Sequence, residues 1–366
     1  MDDFSQLTTP AFLVDRAIVQ RNCDRMHAKA VASHVIFRPH VKTHKVPEIG
    51  RMQFRGGVGP VTASTLAEVE SFAGAGFGDI TYAVPLAPEK LERAAAIARR
   101  IQLNVLIDSF DALDAIESFG VPFDAFLKID CGYHRAGVDP DDPQSVELAQ
   151  RMQSSKTLRF RGLLTHAGHS YHARNVEEIR AIAREETGAV TRFRERLGGP
   201  PPPSAAILRS IGSTPTTSVV DRFIDCDEVR PGNYVFFDAF QATIGSCRFE
   251  DVAVSVLTTV VGSYPERSSI VVDAGALALS KDLGPDHVDP KFGYGIVCDV
   301  KLKPLPMKLV ALSQEHGKIV ADKAVPVGTQ LRIVPNHSCL TAAMYDRYHV
   351  LDGGRIVDEW RPVRGW

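Results

Sequence analysis

Cysteine and tryptophan are scarce in this chain, and long apolar runs are absent. The 366 residues include two tryptophans and six cysteines, and the cysteines are scattered without a CxxC pair. This pattern excludes a disulfide framework. The apolar runs are far shorter than the roughly 20 residues that a membrane-spanning helix needs, and the acidic N-terminus lacks the regions of a signal peptide. We therefore expect a cytoplasmic protein with no membrane partner.

An excess of charge of either sign is also missing. The chain has 42 lysine and arginine residues against 44 aspartate and glutamate residues, and its formal net charge is -2 at pH 7. Because nucleic acids and anionic surfaces attract basic proteins, we expect no nucleic-acid partner. The hydrophobic content of 44% and the charged content of 23% are typical of a globular protein. The length is sufficient for a large core and for two domains.

Strand-like and helix-like segments alternate through the first two thirds of the chain. The strand candidates are short apolar runs, namely Val35–Pro39, Val58–Ala63, Asp79–Val84, Gln102–Ile107, Asp124–Ile129, Phe160–Thr165, Ala206–Ile211 and Glu228–Phe237. About eight strands alternating with helices are typical of a parallel barrel, and an open doubly wound sheet is the competing α/β architecture. We predict the barrel, because eight nearly continuous apolar strands favour it.

The pattern changes after about Gln241. Strand candidates separated by turns follow, with little helical periodicity, at Val252–Val261, Ser269–Val272, Met307–Leu312 and Gln330–Val334. The sequence therefore predicts a (β/α)8 barrel over residues 11–243 and a mostly-β domain over residues 244–366. Residues 1–10 are expected to join the β domain. A charged amphipathic helix is predicted from Glu177 to Leu197, and a glycine- and proline-rich segment running to Pro203 ends it.

A basic run, Arg38-Pro39-His40-Val41-Lys42-Thr43-His44-Lys45, follows the first strand candidate. A lysine at the end of a strand projects from a rigid element, and nearby cations lower the pKa of its amine. Because a neutral amine attacks carbonyl groups, this run is a candidate Schiff-base site. Taken by itself, such a run is more often a solvated basic loop.

Further polar residues follow the later strand candidates, at the face where barrels place their active sites. They are Asp130, His134 and Arg135 after the fifth strand, His166, His169 and Tyr171 after the sixth, Ser213 and Thr214 after the seventh, and Gly232 and Asn233 near the eighth. Barrels often bind phosphate after strands seven and eight, where glycines admit an anion and hydroxyl groups donate to it. A lysine combined with a phosphate cradle favours pyridoxal 5'-phosphate. Each glycine-containing segment alone is also consistent with a tight turn.

A second candidate site lies in the predicted β domain, in the segment Pro335-Asn336-His337-Ser338-Cys339. In an extended segment His337 and Cys339 would point to the same side. Imidazole and thiolate suit zinc, and two protein ligands leave positions open for water or substrate. A lone HxC pair is a weak motif, and a buried histidine beside an inert thiol is the alternative. Glu315 and His316 either support the metal-bound histidine or form a turn.

Taken together and in this order, these motifs resemble the D-serine dehydratase and D-threonine aldolase group of pyridoxal phosphate enzymes, which share the alanine-racemase-like fold. The resemblance runs from Thr9-Pro10 nearly to the C-terminus and includes Gly-Ser-Thr-Pro-Thr at 212–216, Arg-Pro-Gly-Asn-Tyr at 230–234 and Val-Asp-Ala-Gly at 272–275. It implies that Lys42, and not Lys45, carries the cofactor. It also implies a homodimer with active sites near the subunit interface.

The resemblance assigns roles to the other candidate residues. Arg135 matches an arginine that contacts the ring oxygen of the cofactor, and Tyr171 matches a tyrosine that contacts the cofactor. His169 either hydrogen-bonds the cofactor or caps a loop. The phosphate cradle is matched by Ser213, Thr214, Gly232 and Asn233, with Tyr234 beside it. The metal ligands are matched by His337 and Cys339, for which zinc is expected and manganese or cobalt are alternatives.

Two features indicate a branch of this group. In the aldolase members of the group, the metal pair is histidine-x-aspartate and the phosphate loop is rich in glycine. This chain instead has Cys339 and Gly-Ser-Thr-Pro-Thr. Both features favour a dehydratase that removes water from a small D-3-hydroxy amino acid, D-serine or D-threo-3-hydroxyaspartate, giving a 2-oxo acid and ammonia. A D-threonine aldolase is the alternative. The metal pair disfavours a racemase, and the second domain disfavours a non-catalytic pyridoxal phosphate carrier.

Overall fold

The computed structural model of the chain describes residues 4–198 and 207–366. The predicted proline-rich segment after Gly198 and the first residue of the predicted strand Ala206–Ile211 lie outside the described residues, as do residues 1–3. None of the described helices combines the length and the apolar character that crossing a membrane requires.

The secondary structure follows the predicted alternation in the first part of the chain. The strands are β1 (Ala11–Asp15), β2 (Ile36–Phe37), β3 (Val61–Ala63), β4 (Asp79–Pro85), β5 (Gln102–Ile107), β6 (Phe123–Lys128), β7 (Leu158–Leu164), β8 (Leu208–Ile211), β9 (Glu228–Val229), β10 (Val254–Tyr264), β11 (Ser269–Val272), β12 (Gly295–Cys298), β13 (Pro304–Leu312), β14 (Gly317–Val320), β15 (Gln330–Pro335), β16 (Tyr348–Asp352) and β17 (Arg355–Trp360). The helices are α1 (Arg16–Ala32), α2 (Pro47–Met52), α3 (Leu66–Gly74), α4 (Leu91–Ala98), α5 (Phe110–Phe119), α6 (Pro143–Ser154), α7 (Val176–Arg196), α8 (Thr214–Val219), α9 (Ala239–Thr243), α10 (Ala276–Leu279) and α11 (Ser338–Ala343).

The chain divides into two compact units. The barrel unit comprises Arg25–Gly232 and Val363–Trp366, and the sheet unit comprises Met1–Asp24 and Asn233–Pro362. These limits differ from the predicted boundary at residues 243 and 244. They also place the segment from residue 11 in the sheet unit, because β1 pairs with β10 and β16 rather than with a barrel strand.

Eight parallel strands form the sheet of the barrel unit, in the order β2-β9-β8-β7-β6-β5-β4-β3. A parallel bridge between His40 and Thr62 connects the segment after β2 to β3, so the two edges of the sheet meet. The predicted barrel is confirmed against the open doubly wound sheet. The predicted strand Glu228–Phe237 is too long, since pairing stops after Val229 and Pro231 has no N–H group to donate.

Side-chain caps mark the starts of α1 and α5. The Asp15 carboxylate accepts the N–H of Ile18 at 3.0 Å at the start of α1. The Ser109 hydroxyl accepts the N–H of Ala112 at 3.2 Å at the start of α5. Side-chain caps of this kind pair N–H groups that have no partner within the helix.

The sheet unit contains nine strands in the order β11-β14-β13-β12-β15-β10-β1-β16-β17. Among the described residues β1 and β16 pair in parallel, while β10, at the centre of the sheet, pairs antiparallel with β1, β11 and β15. The predicted mostly-β domain is therefore confirmed. The sequence did not predict β17, because this edge strand is exposed along most of its length and carries little apolar pattern.

A network of buried charged side chains joins the barrel strands. Arg38, at the end of β2, donates from Nε to Oε2 of Glu228 at 2.6 Å and from Nη1 to Oδ1 of Asp79 at 2.6 Å. Burial by itself would lower the pKa of Arg38, but the two carboxylates outweigh it and raise the pKa. The other Glu228 oxygen accepts the Ser210 hydroxyl at 2.6 Å, and Arg230 donates to Ser210 at 2.7 Å. The network thus links β2, β4, β8 and β9.

Substitution of Glu228 by alanine is expected to destabilise the barrel strongly. The change leaves the buried Arg38 guanidinium with one carboxylate less, and breaking a buried pair from one side costs about 3–5 kcal/mol. Glu70→Ala is the matched control, because Glu70 pairs with Arg93 at the surface of the same unit, and exposed pairs contribute less than about 1 kcal/mol. Urea unfolding followed by fluorescence measures both variants. Equal losses for the two variants would contradict the assigned importance of Glu228.

Candidate active site

Lys42 lies in the 3-10 turn Val41–Thr43 that follows β2. Its backbone N–H donates to Nδ1 of His40 at 3.4 Å. The next histidine, His44, is fully buried, and its Nδ1 accepts the N–H of Val46 at 3.1 Å. Burial lowers the pKa of His44 to about 3. Both histidines therefore shape the loop through their ring nitrogens.

Lys45, the other lysine of the basic run, is engaged elsewhere. Its Nζ lies 3.0 Å from Oε1 of the buried Glu68. The other Glu68 oxygen accepts the N–H of Ser64 at 2.7 Å, at the start of α3. The backbone carbonyl of Lys45 accepts the N–H of Val363 at 2.8 Å. The two lysines thus have different surroundings, since Lys45 pairs with a carboxylate and Lys42 lines a cavity.

This cavity has a volume of about 300 Å³ and lies at the carboxyl ends of the barrel strands. Its lining includes the cationic side chains Lys42, Lys128, Arg135 and Arg230 and two imidazoles, and no described aspartate or glutamate contributes to it. The volume is at the lower end of the range for small-molecule sites, about 300–1,000 Å³. The concentration of positive charge fits an anionic ligand.

The two imidazoles of the cavity, His40 and His166, are uncharged. The pKa of each lies well below its usual value, chiefly because of burial and then because of the charge on Lys42. Nδ1 of His166 lies 3.0 Å from the carbonyl oxygen of Gly212. Because a carbonyl only accepts, Nδ1 of the neutral ring carries the hydrogen and Nε2 carries the lone pair.

Arg135 is held by an aromatic stack. Its guanidinium carbon lies 4.9 Å from the centroid of the Tyr133 ring, and Tyr133 stacks on His169 with the centroids 6.3 Å apart. A Cβ atom at Gly168 would lie 2.3 Å from a Tyr133 ring carbon, so this position has to lack a side chain. Nδ1 of His169 is buried without a hydrogen-bond partner among the described residues.

Asp130 and His134 organise the loop that carries Arg135. The Asp130 carboxylate accepts the N–H groups of Gly132 and His134 at 3.0 Å each and contacts Nδ1 of His134 at 2.8 Å. Burial raises the pKa of Asp130, but these hydrogen bonds outweigh it and lower the pKa. The His134 side chain is 84% exposed. These two residues therefore belong to the loop and not to the cavity.

The predicted phosphate cradle is only partly assembled within the barrel unit. Ser213 caps α8 and accepts the N–H of Thr216 at 3.3 Å, and Oγ1 of Thr214 accepts the N–H of Gly232 at 3.3 Å. The segments after β8 and β9 are therefore neighbours. Ser170, from the turn Gly168–His172 that also contains the half-buried Tyr171, lies 2.8 Å from the Ser213 hydroxyl.

Asn233 and Tyr234, the remaining predicted members of the cradle, belong to the sheet unit. Tyr234 is fully buried. The Asn233 amide donates to Oδ2 of Asp238 at 2.8 Å and lies 3.6 Å from the Cys339 sulfur. Within its own unit Asn233 is thus a neighbour of the predicted metal pair.

A buried carboxylate connects the loops after β7 and β8. Oε1 of Glu186, in α7, accepts the hydroxyl of Thr165 at 3.0 Å and the N–H groups of Ala167 at 3.1 Å and Gly212 at 2.9 Å. These loops carry His166 and Ser213. Sequence reasoning missed Glu186, because it lies in the middle of a charged helix where only its burial distinguishes it.

The prediction that His337 and Cys339 lie in an extended segment is wrong. His337 is the residue that precedes α11, and Cys339 lies in the first turn of this helix. The two side chains are nevertheless neighbours, since the pKa of His337 is affected by a hydrogen bond to Cys339. Nδ1 of His337 lies 3.1 Å from Oδ2 of Asp282.

Asp282 contacts the His337 ring at Nδ1 and fixes its orientation. Burial would lower the pKa of His337, but the hydrogen bonds to Asp282 and Cys339 outweigh it and raise the pKa well above its usual value. The same hydrogen bond lowers the pKa of Asp282. A carboxylate on one ring nitrogen is the arrangement that metal-binding histidines commonly have, because it fixes the orientation of the imidazole. Within residues 4–198 and 207–366, no group of three or more histidine, cysteine or acidic side chains is placed to hold a metal.

Glu315 and His316 form a turn between β13 and β14 and are exposed. The N–H of Ser313 donates to the carbonyl of His316 at 2.9 Å. The turn is confirmed, and the partner of His337 is Asp282 instead. No local signal connects Asp282 to a histidine 55 positions away.

Two family models match the chain. The model described as "Alanine racemase, N-terminal domain" covers residues 14–239, and the model described as "Putative serine dehydratase domain" covers residues 253–351. The chain is also 39% identical to D-threo-3-hydroxyaspartate dehydratase of Delftia sp. (strain HT23), with 100% of both sequences covered. The chain belongs to the D-serine dehydratase family.

Other members of the D-serine dehydratase family agree with this assignment. The D-serine dehydratase of Dictyostelium discoideum is 37% identical to the chain, covering 100% of the chain and 99% of that protein. The solved structure of the Delftia enzyme has a TM-score of 0.92 and covers 99% of each chain. D-threonine aldolase from Filomicrobium marinum is more distant, with 27% identity, a TM-score of 0.83 and coverage of 98% of this chain and 96% of that one.

Two solved variants of the Delftia enzyme bear on the metal pair. In one a histidine is replaced by alanine, and in the other a cysteine is replaced by alanine and the enzyme is in the metal-free form. Both structures have TM-scores of 0.92 against this chain. The two replaced residues are two positions apart in that enzyme. His337 and Cys339 have the same spacing.

Substitution of Lys128 by methionine is expected to stabilise the ligand-free protein at pH 7. Burial, followed by the charge on Arg230, lowers the pKa of Lys128 from 10.5 to about 8. The charged form is therefore penalised by about 3 kcal/mol below pH 8, and the penalty falls as the pH rises from 8 to 10.5, where the folded state binds fewer protons than the unfolded state. Urea midpoints between pH 7 and 10.5 should show a gain in Lys128→Met that shrinks with rising pH. A gain that does not depend on pH would refute the electrostatic origin.

Proposed function

We propose that this protein eliminates water from D-serine or D-threo-3-hydroxyaspartate, giving a 2-oxo acid and ammonia, with pyridoxal 5'-phosphate and a zinc ion as cofactors. The observation that carries this proposal is the His337–Cys339 pair with Asp282 behind the histidine. It has the residue types and the spacing of the side chains replaced in the Delftia dehydratase variants. A homodimer in the cytoplasm remains our prediction for its assembly and location.

The residues of the barrel cavity suit pyridoxal phosphate. A lysine at the end of a strand, an arginine held on an aromatic ring and a lining without carboxylates fit an anionic aldehyde. We assign the covalent bond to Lys42, contacts to the ring substituents to Arg135, His169 and Tyr171, and the phosphate to Ser213, Thr214 and Gly232, with Asn233 and Tyr234 following them in sequence.

The metal ligands suit zinc for a similar reason. A thiolate and an imidazole nitrogen are ligands that zinc prefers over magnesium or calcium, and a carboxylate on the other ring nitrogen fixes the orientation of the imidazole. Asp282 occupies that position at 3.1 Å from Nδ1 of His337. Two protein ligands leave coordination positions for water and for the substrate hydroxyl.

The residues of the chain then have distinct tasks in the reaction. When bound, pyridoxal phosphate supplies stabilisation of negative charge at Cα, and the metal supplies positive charge beside the leaving hydroxyl group. Lys42 takes the proton from Cα as the general base. Arg135, fixed on Tyr133, donates to an anionic oxygen. His40 and His166 remain uncharged, so these two imidazoles add no further positive charge to the cavity that Lys42 lines.

Cleavage of the Cα–Cβ bond is the alternative reaction for the same residues. The likeness to D-threonine aldolase from Filomicrobium marinum supports it. In that reaction the base would take the proton of the β-hydroxyl group instead of the Cα proton. Cys339 in place of an aspartate is the feature of this chain that favours loss of water.

Product analysis distinguishes the two reactions. With D-serine, D-threo-3-hydroxyaspartate and D-threonine as substrates, we expect a 2-oxo acid and ammonia in equal amounts from at least one of the first two. Lys42→Ala should abolish this release because it removes the base, whereas Lys45→Ala should retain it because Lys45 pairs with Glu68. Glycine and an aldehyde as the main products would show that the chain is an aldolase.

Asp282→Asn is expected to weaken metal binding by about 10- to 100-fold, as loss of an orienting carboxylate does at other metal-bound histidines. The amide is nearly isosteric but cannot provide the negative charge that orients the His337 ring. Competition with a chelator of known affinity measures the change. Asp286→Asn is the control, since Asp286 is exposed in the same loop. Equal metal affinity in the Asp282 and Asp286 variants would argue against His337 as a ligand.

A further inference from the structure

Lys128 is a buried cation that the roles assigned above leave unused. It is the last residue of β6, is 7% exposed and lines the cavity that Lys42 also lines. Across residues 4–198 and 207–366, no carboxylate or carbonyl oxygen accepts a hydrogen bond from its ammonium group, whereas every other lysine or arginine with similar burial has such partners. Ammonium groups are seldom buried without a partner.

The charged groups around Lys128 compensate its charge only in part. Arg230 and Arg135 are cations on the neighbouring segments, while Glu186 and Cys131 are the groups of opposite effect. Oε1 of Glu186 accepts three hydrogen bonds from Thr165, Ala167 and Gly212, and its Oε2 makes no hydrogen bond among the described residues, so this carboxylate acts on Lys128 through space and not as a bonded partner. Burial raises the pKa of the Cys131 thiol to about 12, so this thiol carries no charge at neutral pH. An anion that enters the cavity therefore finds an ammonium group without a competing partner.

The phosphate of the cofactor is not the best candidate for this anion. The residues assigned to the phosphate, Ser213, Thr214 and Gly232, do not belong to the lining of the cavity, whereas Lys128 and Arg135 do. Arg230 is also unsuitable as a free donor, because it donates to Ser210 and to the carbonyl of Thr165. Lys128 remains as the cation without an assigned anion.

We propose that Lys128 binds a carboxylate of the substrate, donating a charge-assisted hydrogen bond that holds the D-3-hydroxy amino acid in the cavity. This inference rests on the proposed function, because it takes the small hydroxy amino acid as the ligand. Its position at the end of β6 is one from which barrel residues commonly contact substrates. Without a partner, the buried ammonium group of Lys128 lowers the stability of the folded protein. The proposed function explains why it is retained, because the substrate carboxylate becomes its partner.

Steady-state kinetics of the cofactor- and zinc-loaded enzyme test the role of Lys128. With D-serine and D-threo-3-hydroxyaspartate, Lys128→Gln should raise KM by about 10- to 150-fold, the loss expected for one hydrogen bond to a charged group, and should change kcat much less. Lys128→Arg should recover part of the affinity. Lys156→Gln is the matched control, since Lys156 is exposed beyond the opposite ends of the strands and should leave KM unchanged. The visible spectrum of the bound cofactor should be the same in all variants.

Binding of succinate provides a second test that does not require turnover. Succinate stays ionised above pH 7, so its dissociation constant in the wild-type enzyme should rise as Lys128 loses its proton above about pH 8. In Lys128→Gln the constant should be higher at pH 7 and should change less between pH 7 and 9.5. The pH profile of the wild type alone remains informative if the variant does not fold.

The two tests separate this inference from the proposed function. If the wild type releases no 2-oxo acid from either substrate, the proposed function fails, and succinate binding still reports on Lys128. If the wild type is active but Lys128→Gln keeps the wild-type KM and the wild-type pH profile for succinate, Lys128 does not bind the carboxylate. An equal rise of KM in Lys128→Gln and Lys156→Gln would also overturn the inference.

Discussion

The buried ion pair between Arg38 and Glu228 is the interaction on which the barrel part of the site depends most. Arg38 comes just before the loop of Lys42, and Glu228 opens the segment that ends at Gly232. Because both charges are fully buried, neither can leave the other without a large cost in free energy. The pair therefore fixes the two strands that carry Lys42, the proposed covalent anchor, and one side of the proposed phosphate cradle. Ser210 and Arg230 extend this constraint to β8 and, through the carbonyl of Thr165, to the end of β7.

The sequence predicts the barrel well where burial alone decides the structure. β5 has the predicted limits, because a strand that is covered on both faces is mostly apolar, and four of its six residues are leucine, valine or isoleucine. The same reasoning predicts a strand over Glu228–Phe237, which is longer than the observed strand Glu228–Val229. That run is buried, but it contains Pro231 and turns into a 3-10 segment at Asn233–Val235, so burial there does not come from sheet pairing. Exposed strands such as β17 gave only a weak apolar signal.

Within the site, the sequence predicts residues that are near one another along the chain, and it fails for partners that are distant. Lys42, Arg135 and the pair of His337 and Cys339 stand in short polar motifs at the ends of buried strands. Asp282 and Glu186 are equally important to the geometry, yet each acts on a loop or a ring far away in sequence. Tyr133 and Lys128 lie within two residues of predicted site residues, Arg135 and Asp130. Their contacts, however, depend on how the loop after β6 folds, which no spacing reveals.

The electrostatics of the barrel cavity follow from how its carboxylates are used. Glu228 is committed to Arg38 and Ser210, and the bonded oxygen of Glu186 is committed to backbone and hydroxyl donors, so both act on Arg230 through space and neither forms an ion pair with it. Burial and Lys42 keep His40 and His166 uncharged. The positive charge is thus concentrated on a few ammonium and guanidinium groups. Lys128 and Arg230 among them are buried, and a buried cation attracts an anion more strongly than it would in water. Burying these cations lowers the stability of the protein. The cavity that results favours ligands that carry negative charge, and it disfavours neutral molecules of the same size.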